Sequence, residues 1–525
     1  MTNLNRSFGS ALMLCLLVQG FHSAAQPRTN QAATTLEEAD YASRFDPGVM
    51  GPPDKAEVVA AAKKAVRKEV PPGPFKATWD SIQNNYRTPA WFEDARFGIF
   101  MHWGVYAVPA YHNEWYEKHM YRNFSRWHAE HFGSQEKFGY KDFIPMFKAE
   151  KFNPDDWAEL FRRSGAKYVM PTAQHHDNYA LWDSDLTHID AMEMGPKRDL
   201  IGDLAKAVRK KGLKFGVSNH GIENFTFINP TDELRDRLQA AKADLYDPAW
   251  AAFYNVADKS DAAVQRFLTD WVNRNLELID KYQPDMLWFD NGVNSRGLDP
   301  LKTYVAAYYY NRALEWKKEV AISTKGLAYA PSGKHMEQVG SIMDFEKVGQ
   351  RSPPTIRPGP WQVDHPIGSS WGYTSNMTVS RPAALISHLV DTVSKGGNFL
   401  LNISPKADGT IPQAQQDTLL GIGQWLEKNG EGIYGTRPWK KFGEGTARFT
   451  TKGQTLYVIL LRWPDKELKI TSLAKSAAGQ IEKVEWLGQS GAVEFSQTDN
   501  ELTLRLPAAK PDDFAQVFKI SGLKL

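Results

Sequence analysis

The sequence predicts an α/β protein, a (β/α)8-like barrel of the TIM type, followed by an all-β sandwich. Three observations carry this expectation. From about residue 97 to residue 430, short apolar runs rich in β-branched and aromatic residues alternate with amphipathic segments of helical period, as in parallel α/β sheets. Polar and titratable residues gather where the apolar runs end. After residue 430 the texture changes to short alternating segments separated by Gly, Pro and polar turns, which reads as a separate sandwich.

The candidate barrel strands are Phe97 to Trp103, Tyr168 to Ala173, Lys214 to Ser218, Asp285 to Asp290, Glu319 to Thr324, Ser341 to Glu346 and Asn398 to Ile403. An eighth strand is needed for closure, and the irregular stretch Ile367 to Tyr373 is the place expected for it. Between the strands, helices announce their starts with caps: Asn153 then Pro154, Asp199 before Ile201 and Leu204, and Asp299 then Pro300. A longer helix runs from Ser260 to Tyr282, with Val264, Phe267, Leu268, Trp271, Leu278 and Tyr282 on one face. In the sandwich region, residues 433–525, the alternating segments are Thr455 to Leu461, Leu468 to Thr471, Leu502 to Leu506 and Phe514 to Ile520.

The chain starts with features of export. Arg6, an apolar stretch from Ala11 to Val18, and the small residues Ser23, Ala24 and Ala25 read as a secretory signal peptide over residues 1–25, too short to span a bilayer. The expected location is therefore the periplasm or the cell exterior. The single Cys, Cys15, lies inside that segment, so the mature chain is expected to carry no disulfide, thiol nucleophile or cysteine metal site. Residues 26–78 form an N-terminal extension with a short helix near Ala56 to Val70, followed by the barrel over residues 79–432. A net charge of +2 with 24% charged residues indicates no nucleic-acid partner, and no further apolar run reaches membrane-spanning length. The skewed class is aromatic, at 12% with 17 Trp, which suits either core packing or a site lined by flat rings that stack on sugars.

With the strands placed, the polar residues fall on one rim. His102 ends the first strand, His175 and His176 follow the second, Asn219 and His220 the third, and Asp290 ends the fourth. Lys325 follows the fifth and Glu346 ends the sixth. Barrel active sites are built at that rim. A metal hydrolase could use His175 and His176, but neighbouring side chains on an extended backbone point apart and do not converge on one ion. Serine or cysteine nucleophile chemistry lacks its elbow pattern. Glycoside hydrolysis by two carboxylates, Asp290 as nucleophile and Glu346 as acid/base among His and Trp, accounts for the most residues and needs neither metal nor cofactor.

The same residues carry a resemblance. FGIFMHWGVYAVPA with EWYEKHMY, AQHHDNYALWDS, LKFGVSNHG, PDMLWFDNG, PWQVD, SWGY and GNFLLNISPKADGTIP, in chain order over roughly residues 79–439, resemble the α-L-fucosidases of glycoside hydrolase family 29. The resemblance implies a barrel with a C-terminal β-sandwich, a retaining mechanism without metal, and fucosylated oligosaccharides or polysaccharides as substrates. It places Asp290 at the nucleophile position, and His102, Glu114, Trp115, His175, His176 and Trp288 at sugar-contacting positions. The acid/base position varies most among relatives. Glu346 in MDFEKVG fits it, Glu337 is the alternative, and Trp361–Gln362 stands where some relatives have Trp-Glu, an amide that cannot protonate a leaving group. Where many relatives have Tyr-Tyr-Ser this chain has VSNHG, so Asn219 and His220 are expected to take over hydroxyl contacts, and Lys325 to replace an Arg. Trp103, Trp288 and Phe289 are candidates for the apolar wall that meets the fucose methyl group. A related glycosidase for α-L-galactosides and a non-catalytic carbohydrate-binding protein on the same scaffold are the alternatives.

Overall fold

The computed structural model describes residues 51–525 except 335–336, 465–466, 490–492, 508–509 and 511, and omits the side chains of 350–351. Residues 1–25, read from the sequence as a signal peptide, lie outside the described residues. Eight parallel strands close a barrel in sequence order: β1 (Phe97–Met101), β2 (Tyr168–Gln174), β3 (Lys214–Asn219), β4 (Met286–Phe289), β5 (Ala321–Lys325), β6 (Ile342–Glu346), β7 (Trp361–Pro366) and β8 (Asn398–Ile403). β8 returns to pair with β1 through Phe97 and Phe399.

The eighth strand is Trp361–Pro366, upstream of the expected Ile367 to Tyr373. Its inward residues are polar: Gln362 and Asp364 meet Asp344 of β6 inside the barrel. Trp361 instead packs on Phe345, and His365 on His388 of helix 382–394. An apolar face turned outward and a polar face turned inward disguise the strand in sequence.

Three helices start on the expected caps, whereas Asp299 is itself the first residue of helix Asp299–Glu315 and its N-cap, Leu298, makes no side-chain bond. The Asn153 side chain accepts from the backbone of Asp155 and Asp156, Asp199 from Gly202, and Ser260 from Ala263 at the head of helix Asp261–Tyr282. The lower end of the barrel is plugged by the short helix Ala90–Ala95. Its Phe92 and Ala95 join Phe100, Tyr168, Met170, Met286, Trp288 and Leu400 in a continuous apolar core. The described part of the N-terminal extension is docked. Helix Ala56–Lys64 and the segment after it bind the long helix through Lys55–Asp261 (2.7 Å), Arg67 N–H to Asn273 (3.0 Å) and Lys68–Asp280 (2.6 Å).

Beyond the barrel, a five-stranded antiparallel sheet contains β9 (Arg437–Glu444), β10 (Ala447–Lys452), β11 (Thr455–Leu460), β13 (Lys483–Trp486) and β16 (Gln516–Ser521). A three-stranded sheet of β12 (Glu467–Ile470), β14 (Phe495–Gln497) and β15 (Leu502–Arg505) completes the sandwich. The two sheets share one core: Phe449, Val458 and Phe518 from the larger, Ile470, Leu502 and Leu504 from the smaller. The sandwich is tied to the barrel by Trp425 Nε1–H donating to Ala515 O (2.7 Å) and by an Arg448–Asp391 ion pair (2.7 Å). Among the described residues, no helix is long and apolar enough to cross a membrane.

Candidate active site

Strand order brings the strand ends to one rim, and the side chains there converge on Asp290. Asp290 follows β4 with the backbone N–H of Asn291 folded onto its Oδ1 (2.8 Å). Lys325 Nζ, from the end of β5, lies 3.5 Å from the same oxygen. On the other oxygen, His220 Nδ1 lies 3.1 Å and His176 Nε2 3.9 Å away. Both carboxylate oxygens are thus held by cations or donors. Burial on its own pushes the Asp290 carboxyl up, but Lys325, His220 and His176 outweigh it and hold it well below the usual carboxylate range. The side chain still keeps 11% exposure, enough for a ligand atom to reach it.

Lys325 is the hub. Its ammonium also lies 3.7 Å from Glu346 Oε2 at the end of β6 and 3.4 Å from Asp364 Oδ2 on β7, and it sits over the rings of Trp288 (5.2 Å) and Trp371 (5.4 Å). Burial would lower it, yet Asp290, Asp364 and Glu346 raise it well above its ordinary value, so it is charged at any working pH. Because Asp290 and Glu346 both touch this one atom, their nearest oxygens are at most about 7 Å apart. Asp364 itself is fully buried, and burial raises it well above the carboxylate range.

The histidines form the opposite wall. His175 and His176 have ring centroids 4.2 Å apart, and His175 lies 5.4 Å from His102 and 4.8 Å from His220. The expectation that the adjacent pair points apart does not hold. Both residues lie past the end of β2 at Gln174, where strand alternation no longer applies, and they fall in different trios of potential ligand atoms, so the pair does not converge on one ion. Burial pushes all four rings down, His176 to about 3, so they are neutral hydrogen-bonding groups. Two trios bring potential ligand atoms within 4.8 Å of one another: His102, His175 and His220, and His176, His220 and Asp290. His220 is common to both, and its Nδ1 faces Asp290 while its Nε2 faces Ser218 (3.0 Å), so it offers no free ring nitrogen to an ion. His102 Nδ1 is held by Asn402 (2.7 Å), which leaves Nε2 for another partner.

The models of two domains match this chain: the α-L-fucosidase model over residues 60–431, and the α-L-fucosidase C-terminal domain over 443–521. The chain belongs to the α-L-fucosidase family. Bovine tissue α-L-fucosidase is 33% identical over 474 residues, covering 86% of this chain and 92% of the bovine protein. Human tissue α-L-fucosidase is 31% identical over 484 residues, covering 88% and 95% respectively. Among solved structures, the Thermotoga maritima α-fucosidase in complex with fucose is 32% identical with a TM-score of 0.66, covering 85% of this chain and 99% of that one.

Of the site positions named from sequence, the structure brings together Asp290, Glu346, His102, Glu114, Trp115, His175, His176, His220, Trp288 and Lys325. Glu114 is buried and accepts the Gly372 N–H (3.2 Å), and Trp115 lies 6.1 Å from His176. Two named residues are placed elsewhere. Trp103 turns outward against Phe147, Phe152 and Trp157 (4.9 Å), in the layer between barrel and helices. Asn219 bonds Asn275 of the long helix (3.2 Å) and the Gly221 N–H (2.8 Å), outside the barrel. Phe289, a candidate for the methyl wall, also faces outward, 5.7 Å from Trp271. Trp288 faces inward, packed between Phe100 (5.0 Å) and His220 (4.8 Å), with its N–H on Asp344 (2.6 Å). Glu337 is on the surface beside Lys334 (3.6 Å).

Sequence reasoning missed Glu223 and Trp371 as site residues. Glu223, in the turn after β3, is fully buried with Oε1 accepting the Gly292 N–H (2.8 Å) and Oε2 3.3 Å from His176 Nδ1. Burial and the neighbouring Asp290 push its carboxyl well above the usual range. Gly292 must lack a side chain here, because a Cβ would come within 2.4 Å of Glu223 Cγ. Trp371 lies 5.3 Å from His102, and its signal was present in the SWGY motif.

Proposed function

We propose that this protein is an exo-acting retaining α-L-fucosidase that removes terminal α-L-fucosyl residues from glycans. The observation that carries the reading is Asp290 at the β4 exit, held ionised and oriented by Lys325, His220 and the Asn291 N–H, with Glu346 reaching the same ammonium. An ionised, buried carboxylate with both oxygens fixed is prepared to attack an anomeric carbon. Glu346 donates its proton to the departing oxygen and then serves as base for the water that cleaves the glycosyl ester. A retaining mechanism needs the two carboxyl groups about 5–5.5 Å apart, which their shared contact with Lys325 permits. His102, His175 and Glu114 supply hydrogen-bonding groups for the sugar hydroxyls, and the fully buried Trp288 backs His220 and Lys325 from within the barrel.

The test is hydrolysis of 4-nitrophenyl α-L-fucoside with the first-formed anomer read by NMR. Wild type should release α-fucose first, and Asp290→Gly should lose at least about a thousandfold in kcat while still binding fucose. No turnover by wild type, β-fucose as first product, or an undiminished Asp290→Gly would each reject the assignment. Residues 1–25 support export of the enzyme, and a mature N-terminus other than Gln26 in the secreted or periplasmic fraction would count against that cleavage.

A further inference from the structure

We propose that the segment after β1 carries an aromatic track on which the sugar rings beyond the fucosyl group pack, making extended fucosylated glycans, rather than small fucosides, the preferred substrates. The proposal rests on the α-L-fucosidase reading and adds to it the part of the substrate that the rim residues do not reach.

The track begins inside the site and is continuous ring to ring. Trp115 is 6.1 Å from His176, His119 is 6.4 Å from Trp115 and nearly parallel to it, and Phe124 is 5.0 Å from His119. Tyr111 follows at 5.3 Å from Phe124 and stacks on Trp127 at 3.7 Å with an angle of 8°. His131 stacks on the far side of Trp127 at 4.1 Å. All these rings beyond His176 keep contact with solvent, and His131 is exposed.

Core packing accounts for only part of them: Tyr111 and Trp127 meet the enclosed Tyr116 edge-on (6.4 and 5.9 Å), and the same segment has a separate buried face. Tyr116, Met120, Tyr121, Tyr140 and Phe143 are completely enclosed and do that work. Flat rings left partly in water, contiguous with a site for a sugar, form a surface suited to the apolar C–H faces of pyranoses. The segment is also rigid enough to serve. Gln135 Nε2–H bonds hold the carbonyls of Met120 (2.8 Å) and Ser125 (2.9 Å), and Arg122 Nη1–H the carbonyl of Asn229 (2.8 Å). Ala110 and His112 are non-glycine residues in the left-handed region, at φ 45° and 65°. Such a conformation persists where the surroundings over-determine it, as ligand clamps do.

Steady-state kinetics of the full-length enzyme on 4-nitrophenyl α-L-fucoside, a fucosyl disaccharide and longer oligosaccharides of the same linkage test the proposal. Wild type should gain about tenfold in kcat/KM as the chain lengthens, a size ordinary for one or two ring contacts. Tyr111→Ala and His131→Ala should remove that gain and leave the aryl fucoside rate within about twofold of wild type. A wild-type rate indifferent to chain length overturns the track, as does an equal loss on all substrates in variants with unchanged melting. Where Tyr111→Ala fails to fold, His131→Ala, at the exposed end of the stack, carries the same test. Failure of wild type to hydrolyse the aryl fucoside would instead reject the fucosidase reading on which the track depends.

Discussion

Replacing Lys325 with Met isolates the group that keeps the proposed nucleophile charged. The ammonium lies 3.5 Å from Asp290 Oδ1. At an effective dielectric of about 20 this contact is worth about 5 kcal/mol. Asp290 is nearly enclosed, so solvent screens little of it. Burial raises this carboxyl, and Lys325 is the largest of the influences that pull it down. The sign follows. A carboxyl depressed below its unfolded value stays ionised, and able to act, as pH falls through the ordinary carboxylate range until the lowered value is passed, while its contribution to stability is full above the unfolded value and is lost progressively between the two. Without Lys325 that loss comes at higher pH. Since about 1.4 kcal/mol corresponds to one pH unit, even a third of the contact moves the acid limb of kcat/KM upward by about a unit. The assay is the pH dependence of kcat/KM on 4-nitrophenyl α-L-fucoside, with thermal melting as a control for folding. An acid limb that stays in place in a folded Lys325→Met variant would refute the view that this ammonium sets the charge of Asp290.

The remaining predictions separate neighbours with similar chemistry. Glu346→Ala should slow substrates with poor leaving groups most and recover with added azide, whereas Glu337→Ala, removing a surface carboxylate paired with Lys334, should leave kcat within about twofold; the reverse pattern transfers the acid/base role to Glu337. Asn219→Ala should lower stability by about 1–3 kcal/mol through its lost buried hydrogen bonds while leaving KM unchanged in thermal melts and kinetics run together. His220→Ala, which removes a donor from Asp290, should instead cut kcat/KM by about a hundredfold or more, and equal kinetic effects of the two would contradict the inward and outward placement.

Much of this site could be read from strand parity. On β1, if His102 faces the barrel axis then Trp103 must face the helices, and it packs on Trp157. The same rule opposes Asn219 to His220 and Phe289 to Asp290, and each outward partner is found on the long helix, at Asn275 and Trp271. Placing both members of each pair in the site set aside a constraint already present in the sequence. The rule does not apply at His175 and His176, because both lie past the end of β2 at Gln174. β7 was hidden for a different reason. Its inward residues Gln362 and Asp364 belong to a polar layer completed by Asp344, Trp288 and Lys325, so only its outward residues, such as Trp361 and Val363, are apolar and the strand lacks the continuous apolar run by which its neighbours were recognised. That layer is the physical consequence of placing a charged lysine inside a barrel: the ammonium needs carboxylates around it, and the strands that supply them give up their hydrophobic signature. Glu223 follows from the same requirement. A turn residue in sequence, it becomes part of the site only because the chain after β3 folds back over Gly292, a position where the absence of a Cβ makes the approach possible. The residues legible beforehand are therefore those that regular strands present, and the ones that remained hidden are those that charge burial or a loop's return brought in.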